Sequence, residues 1–453
     1  MTELPSLHHI AVIGAGWSGC AAATELASSG YRVSLFESSR IPGGRARRVE
    51  TDGQILDNGQ HILLAGYRES LRLMKKVGVD VNAAFMRLPL QIAYPPDSND
   101  ISFVTPFLPA PFHLLIALLR PNGLQMADKL TLARCISAMR WMDWQLSEDC
   151  PVTHLLEQLG QSPRLYQLLW RPLCLSALNT PPDEASANIF LRVLRDSIGG
   201  KRADSDMLIP KTDLSALFPE KAIHFIEARH GQFHGGRTVR ALHKHHAGWL
   251  VDNTLFDAVI LATSARSAQQ LIRRQARIPE LDAFRFESIH TCYLGYAPSV
   301  RLSRPFLALR DNPRDNHWGQ FVFDHGWLHP TRAGIFAVVI SASSSVADIP
   351  RKTLESAIAQ QLAKACRMPA LATPSWSYTL SERDATFFCY PGIVRPSCQT
   401  ELDGLFLAGD YVHGNYPATL ESAVQNGVNA AKQVIWSLHG KTSAESARTA
   451  LPC

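Results

Sequence analysis

The chain has 453 residues, of which 46% are hydrophobic and 19% charged, with 45 basic side chains against 40 acidic ones. That length exceeds a single compact core and points to two lobes or more, and the composition excludes a disordered chain. The small positive excess contains no dense basic tract, which argues against nucleic-acid binding and suits an anionic cofactor or bilayer surface.

In chain order, the apolar run His9 to Ile13 predicts a buried strand, Ser18 to Ser29 an alanine-rich helix, and the alternating Tyr31 to Phe36 a second strand ending at Glu37. A βαβ unit of this length belongs to a parallel sheet. After Asn58 the pattern is mostly helical, with prolines breaking it near 89–96 and 106–111. Strands return over about 230–263, ending in "FDAVILATSA", and a mixed strand-and-loop stretch runs to about 400. "GLFLAGDY" predicts the last strand and "PATLESAVQNGVNAAKQVIWSL" the last helix, before a small, polar tail after Gly440. The expected class is α/β, a Rossmann-like dinucleotide lobe (1–85, 205–265 and 400–440) interleaved with a mixed α+β lobe (86–204 and 266–399).

Nine cysteines include no CxxC pair and no zinc spacing, so reduced thiols in a cytoplasmic chain and no metal site are expected. The clustered His230, His234, His243, His245 and His246 lie in strand and loop contexts without partner carboxylates, which makes them a solvated surface. No uninterrupted apolar stretch reaches the eighteen or so residues needed to span a bilayer.

The chemistry is concentrated at the two ends. Gly14, Gly16 and Gly19 form GxGxxG between the first strand and helix. The first permits a tight turn, the second lets backbone approach a diphosphate, and the third lets helix pack on strand. Amides and dipole at the helix N-terminus face the anion. Glu37 is placed to accept ribose hydroxyls and disfavours a 2′-phosphate. FAD is preferred over NAD because "GGRARR" follows at 43–48, where Gly44 allows close approach and Arg45 can neutralise a phosphate. At the far end, Gly409 and Asp410 close "LFLAGD" and face the ribityl chain or diphosphate. Pro417 is expected to start a helix, bringing the amides of Thr419 and Leu420 to a negative flavin ring. Ala423, Gly427 and Ala431 recur every fourth residue as a close-packing stripe.

"GAGWSG…ESSRIPGGRARR", "LDNGQHILLAGY", "LAGDY" and "YPATLESAVQNG" resemble the FAD-dependent amine oxidase and phytoene desaturase superfamily. Within it, "LWRPLCLSALNTPPDEASANIFLRVLRDS" at 168–197 and "SDMLIPKTDLSALFP" at 205–219 resemble the squalene-associated branch, the hydroxysqualene dehydroxylases. The resemblance covers nearly the whole chain. It implies non-covalent FAD, a substrate lobe and reductive removal of the hydroxyl of hydroxysqualene, with an electron donor that the sequence does not identify. It carries FAD contacts onto Gly14, Gly16, Gly19, Glu37, Arg45 and Asp410, and an adenine-side contact onto Val239. Amine oxidases generally keep a lysine near the flavin. No lysine stands between Lys244 and Lys352, which counts against amine oxidation.

A substrate of this kind would gain on the order of 20 kcal/mol on leaving water, at roughly 0.8 kcal/mol per buried carbon, so it is expected to be collected from a bilayer. "FLPAPFHLLIALLRP" at 107–121 is apolar, proline-bounded and too short to span, which suits a peripheral membrane anchor or, equally, a buried helix. Trp141 and Trp144 fit core packing better than an interfacial edge. His61 is the candidate acid for the departing hydroxyl, because "NGQH" is expected to pass beside the flavin ring. Cys174 and Asn179 are candidate substrate-pocket residues. Two other readings stay open: an oxidative desaturase of a carotenoid-like polyene, and a lipid-binding escort protein of the same fold without flavin chemistry.

Overall fold

A computed structural model describes residues 8–51, 53–96, 101–106, 108, 116 and 124–449, apart from the side chains of 440–449. Its first layer is a five-stranded parallel sheet. The strands are β1 (His9–Ile13), β2 (Arg32–Glu37), β3 (Gln232–Gly235), β4 (Ala258–Leu261) and β10 (Leu405–Leu407), in the order β3-β2-β1-β4-β10. Strands β1 and β4 are almost wholly buried, which explains their unbroken apolar runs: a parallel sheet is covered on both faces. The predicted helix and second strand appear within one residue as α1 (Trp17–Ser28) and β2.

Strands from both chain ends meet in this sheet because the last helix, α6 (Leu420–Thr449), lies along α1. The small-residue stripe makes that approach possible. A Cβ on Gly427 would stand 2.1 Å from the Ser18 carbonyl oxygen, so only glycine lets the two backbones come this near.

The second layer is a five-stranded antiparallel sheet. It comprises β5 (Phe286–Gly295), β6 (Phe306–Ala308), β7 (Phe321–Asp324), β8 (Ile335–Ile340) and β9 (Trp376–Phe387), in the order β6-β7-β8-β5-β9. One face packs on α5 (Arg351–Cys366) through Cys292, Leu294, Val338, Ile358 and Leu362. The other face, with Tyr293, Phe306 and Phe323, packs against Leu56, Met207 and Ile209.

The largely helical expectation after Asn58 needs correction. Helices α2 (Arg68–Lys76), α3 (Met126–Trp141) and α4 (Arg171–Leu178) are present, but three short strands, Phe85–Leu88, Gln91–Ala93 and Ser102–Val104, lie among them. Phe85–Leu88 pairs with Met207–Pro210, more than a hundred residues away, a partner that local periodicity does not reveal. The expected strands of 230–263 are present, although the middle ones form a separate three-stranded sheet. The candidate membrane segment 107–121 lies outside the described residues apart from Leu108 and Ile116. Among the described residues no helix is long and apolar enough to cross a membrane. Trp144 is buried in the core at the end of α3, whereas Trp141 is 91% exposed.

Candidate active site

Two glycine turns interlock at the carboxyl edge of the parallel sheet, where ligands of open α/β sheets bind. Gly14 has φ +106° and donates its amide to the Phe36 carbonyl at 2.7 Å, and a Cβ there would meet the Ala262 carbonyl oxygen at 2.5 Å. A Cβ on Gly19 would stand 1.8 Å from the Gly14 carbonyl oxygen. The turn is therefore locked between α1 and β4. Gly16 bridges Gly43, and the Gly43 amide donates to the Ala15 carbonyl at 2.9 Å, which seats the second turn beside the first. Gly44 has φ +63°, and a Cβ on it would crowd the Gly16 Cα at 3.1 Å.

These features fit a bound diphosphate. Helix α1 starts at buried residues with no side-chain cap and no acidic residue in its first turn. Buried, uncapped helix amides call for an external acceptor, and a diphosphate is one. The Ser18 hydroxyl in that turn and the Tyr411 hydroxyl beside Asp410 are both buried without a hydrogen-bond partner.

Glu37 ends β2, where its carboxylate accepts the amides of Ala15 and Ser39, each at 2.8 Å. It thus fixes the glycine turn and keeps acceptor capacity for ribose hydroxyls. Arg45 and Asp410, expected to act separately on the cofactor, form an ion pair with each other, and Arg45 also donates to the Ala385 carbonyl at 2.8 Å. The pair joins positions 365 apart in sequence. About a third of the Arg45 side chain stays accessible, while Asp410 is buried. Gly409 is held at φ +153°, with a would-be Cβ 2.6 Å from the Tyr411 ring.

Two expectations about local structure change here. Val239 is buried as expected of a wall residue, but it lies in irregular backbone; the strand begins later, at Leu242. Pro417 does not begin the last helix. The chain runs through bends to Thr419, whose hydroxyl accepts the Ser422 amide at 3.1 Å and caps α6 at Leu420. The Thr419 amide is engaged by the Pro417 carbonyl at 2.8 Å. Threonine is a better N-cap than proline because its side chain satisfies one of the orphan amides.

His61 lines a cleft together with Asp57, Gln60, Leu214 and His325. Its Nδ1 donates to the Gly59 carbonyl at 3.1 Å, which leaves Nε2 as the acceptor of a neutral ring. Burial lowers its pKa below the ordinary histidine value. Both effects work against the protonated form that an acid requires. Asp57 behaves oppositely: burial raises its carboxyl to about 7. Its Oδ1 accepts the Leu214 amide at 2.9 Å, and its carbonyl accepts the Tyr293 hydroxyl at 2.8 Å. Gln60 donates to that same hydroxyl at 2.8 Å. The buried His325 ring lies edge-on to Tyr293, with Nε2 lacking a partner, and burial pushes its pKa down to about 3. Sequence reading passed over Asp57 although "LDNGQH" displays it.

The sign of Asp57's effect on stability follows from its raised pKa. Between about pH 4 and 7 the folded chain holds a proton that the unfolded chain has released, so stability falls as pH rises through that window and levels off above it. Asp57→Asn keeps the acceptor for Leu214 and is expected to flatten this slope in denaturant titrations at pH 5 and 8.

Cys174 and Asn179 lie in the interior. The Cys174 thiol, its pKa raised by burial, points at the Thr180 carbonyl at 3.6 Å. Asn179 closes α4 with φ +47°, donates to the Thr386 hydroxyl at 3.0 Å and accepts the Ala342 amide at 2.7 Å. Both ends of its amide tie α4 to the antiparallel sheet. The histidines of 230–246 behave as surface groups, with His234 stacked on Phe36 at 4.7 Å. Among the described residues no group of three His, Cys, Asp or Glu is arranged to hold a metal.

The family model for flavin containing amine oxidoreductase matches residues 17–435. The chain belongs to this family. As a flavin containing amine oxidoreductase family member it is an FAD-dependent oxidoreductase. Hydroxysqualene dehydroxylase from Rhodopseudomonas palustris is 30% identical, with 94% of this chain and 97% of the relative covered. The enzyme of that name from Sinorhizobium fredii is 27% identical, covering 93% and 97%. A probable zeta-carotene desaturase from Synechococcus elongatus is 22% identical, covering 94% and 98%. Among solved structures, cyclohexylamine oxidase from Brevibacterium oxydans shares the fold at a TM-score of 0.68 and 16% identity, over 95% of this chain and 99% of its own.

Proposed function

We propose that this chain removes the hydroxyl of hydroxysqualene reductively to give squalene. The observation that carries this reading is end-to-end similarity at 30% identity to an enzyme of that name, against 22% for the zeta-carotene desaturase. In balance, R–OH, a proton and a hydride give R–H and water. Bound FAD, when reduced, supplies the hydride.

The chain's own part is to hold the cofactor, exclude water and provide the proton. Gly14, Gly16, Gly19, Glu37, Gly44 and Arg45 from one chain end, with Val239, Gly409, Asp410, Thr419 and Leu420, are the residues assigned to hold FAD, in a lobe of 1–85, 205–265 and 400–440. The remaining segments, 86–204 and 266–399, form the substrate lobe. The cleft bearing His61 is the proton-supplying region, and we place the proton itself on Asp57, which near neutral pH is poised to keep or release it. His61, neutral on the same wall, serves to orient rather than to donate. The carboxyl form is lost above about pH 7, so turnover is expected to fall there in the wild type. Asp57→Asn is expected to lower kcat at every pH and remove that fall; a wild-type profile in this variant sinks the assignment.

A hydrocarbon of this size implies collection from a bilayer, and segment 107–121 is the proposed point of contact.

A further inference from the structure

Residues 410–419 form no regular secondary structure, yet they include Asp410 and Thr419, two of the residues assigned to the cofactor. Five of their carbonyls, those of 410, 411, 412, 414 and 416, are gathered by one side chain from outside the segment. Arg395 Nε reaches the Tyr411 carbonyl at 3.4 Å. Nη1 reaches the carbonyls of Gly414 at 3.2 Å and Tyr416 at 2.7 Å. Nη2 reaches the Asp410 carbonyl at 2.7 Å and the Val412 carbonyl. A guanidinium has five N–H donors in a rigid planar fork, and here all five meet five carbonyls of one loop. The plane is backed by the Phe387 ring, with its carbon 5.1 Å from the ring centroid.

The charge is as telling as the geometry. The Ser422 hydroxyl, 3.5 Å from Nη2, shares one of the N–H groups already on a carbonyl, and none of the hydrogen bonds goes to a carboxylate. Asp410 is the nearby acid, but its carboxylate is engaged by Arg45. Arg45 is thus the ion-pair partner of Asp410, with Glu382 and Asp384 also close to it, while Arg395 is satisfied by backbone carbonyls.

We propose that Arg395 is a positioning residue for the cofactor: its fork sets the shape of the 410–416 loop, and its charge, hydrogen-bonded to carbonyls rather than to a carboxylate, favours the anionic forms bound in front of that loop. This rests on the reading that 410–420 contacts FAD. Lysine offers three donors from a single point and cannot span the five carbonyls, so Arg395→Lys separates shape from charge.

The test uses purified holoprotein. FAD dissociation constants and flavin midpoint potentials are compared for the wild type, Arg395→Lys and Arg395→Met, with far-UV circular dichroism as the check on folding. Both variants are expected to bind FAD at least about tenfold more weakly, the loss of one charge-assisted hydrogen bond. Arg395→Met is also expected to shift the potential to more negative values, while Arg395→Lys stays near the wild type. Arg395→Ala is expected to lose FAD affinity in the same way and to regain it in millimolar guanidinium chloride. Wild-type affinity in Arg395→Lys would overturn the shape role, and equal potentials in the Lys and Met variants would overturn the charge role. A wild-type protein that takes up no FAD would instead defeat the cofactor reading, a distinct result.

Discussion

Gly19→Ala is expected to lower FAD affinity on the order of 100-fold and to destabilise the fold by about 3 kcal/mol, the upper part of the usual cost of overpacking. The new methyl group would sit 1.8 Å from the Gly14 carbonyl oxygen, with the Ala262 side chain at 3.2 Å on the other side. Real Cβ atoms do not approach a backbone oxygen this closely, so either α1 or the turn must move. Neither moves alone. The turn is bound to β2 through the Gly14 amide and to Glu37 through the Ala15 amide, and α1 is clamped by α6 at Gly427. Displacement therefore reaches the uncapped amides of α1, the proposed diphosphate cradle. Equilibrium titration with FAD, paired with thermal unfolding of the protein, checks this. A variant that binds FAD like the wild type would show that the close contact does not shape the site.

Glu421→Ala is expected to cost roughly 3–5 kcal/mol of stability, from several donors left unsatisfied at about 1–3 kcal/mol each where they are buried. Glu421 is fully buried in the first turn of α6, where its oxygens accept the amides of Glu69 at 3.0 Å and Ser70 at 2.9 Å, the Ser70 hydroxyl at 2.6 Å and the Gln425 side chain at 2.9 Å. Helix α2 begins at Tyr67 without a side-chain cap of its own, so Glu421 caps it from 351 residues away. Alanine would strand the buried amide and hydroxyl of Ser70 and the half-buried amide of Glu69 at once. A lower thermal midpoint is expected, together with faster hydrogen exchange at the amides of Glu69 and Ser70. Unchanged exchange there would mean that these amides find another acceptor.

Glu421 also shows what the sequence could and could not disclose. Its motif was visible in "PATLESA", but a glutamate in the first turn of a helix reads as a surface residue favoured by the dipole. Only the tertiary partner, α2 packed directly on α6, makes it an interior cap. The β1-α1-β2 unit was legible almost to the residue because its signals are local: an apolar run, three glycines and an acid at fixed spacing. The alanine–glycine stripe on α6 was legible for the same reason.

What depended on distant partners was not legible. Short strands of three or four residues near 85–104 were hidden among helical patterns, since their identity comes from strands paired elsewhere in the chain. Arg45 and Asp410 were both read as cofactor-side residues, but not as partners of each other. Pro417 carried a helix-start signal that Thr419 answered better. At the cleft proposed to supply the proton, sequence reading favours His61 for its residue type. Our proposal places the proton on Asp57 instead, because burial lowers the pKa of the imidazole and raises that of the carboxyl. Arg395 was silent in the sequence, since no motif marks an arginine whose acceptors are all backbone carbonyls.

The central claim is the reaction, and an anaerobic single-turnover experiment tests it most directly. Purified protein, its flavin reduced beforehand, is mixed with hydroxysqualene in detergent or vesicles, and flavin absorbance and extracted lipid are followed together. The account predicts that the oxidised flavin spectrum returns as squalene appears in equal amount. Flavin that stays reduced, with hydroxysqualene recovered unchanged, would contradict it.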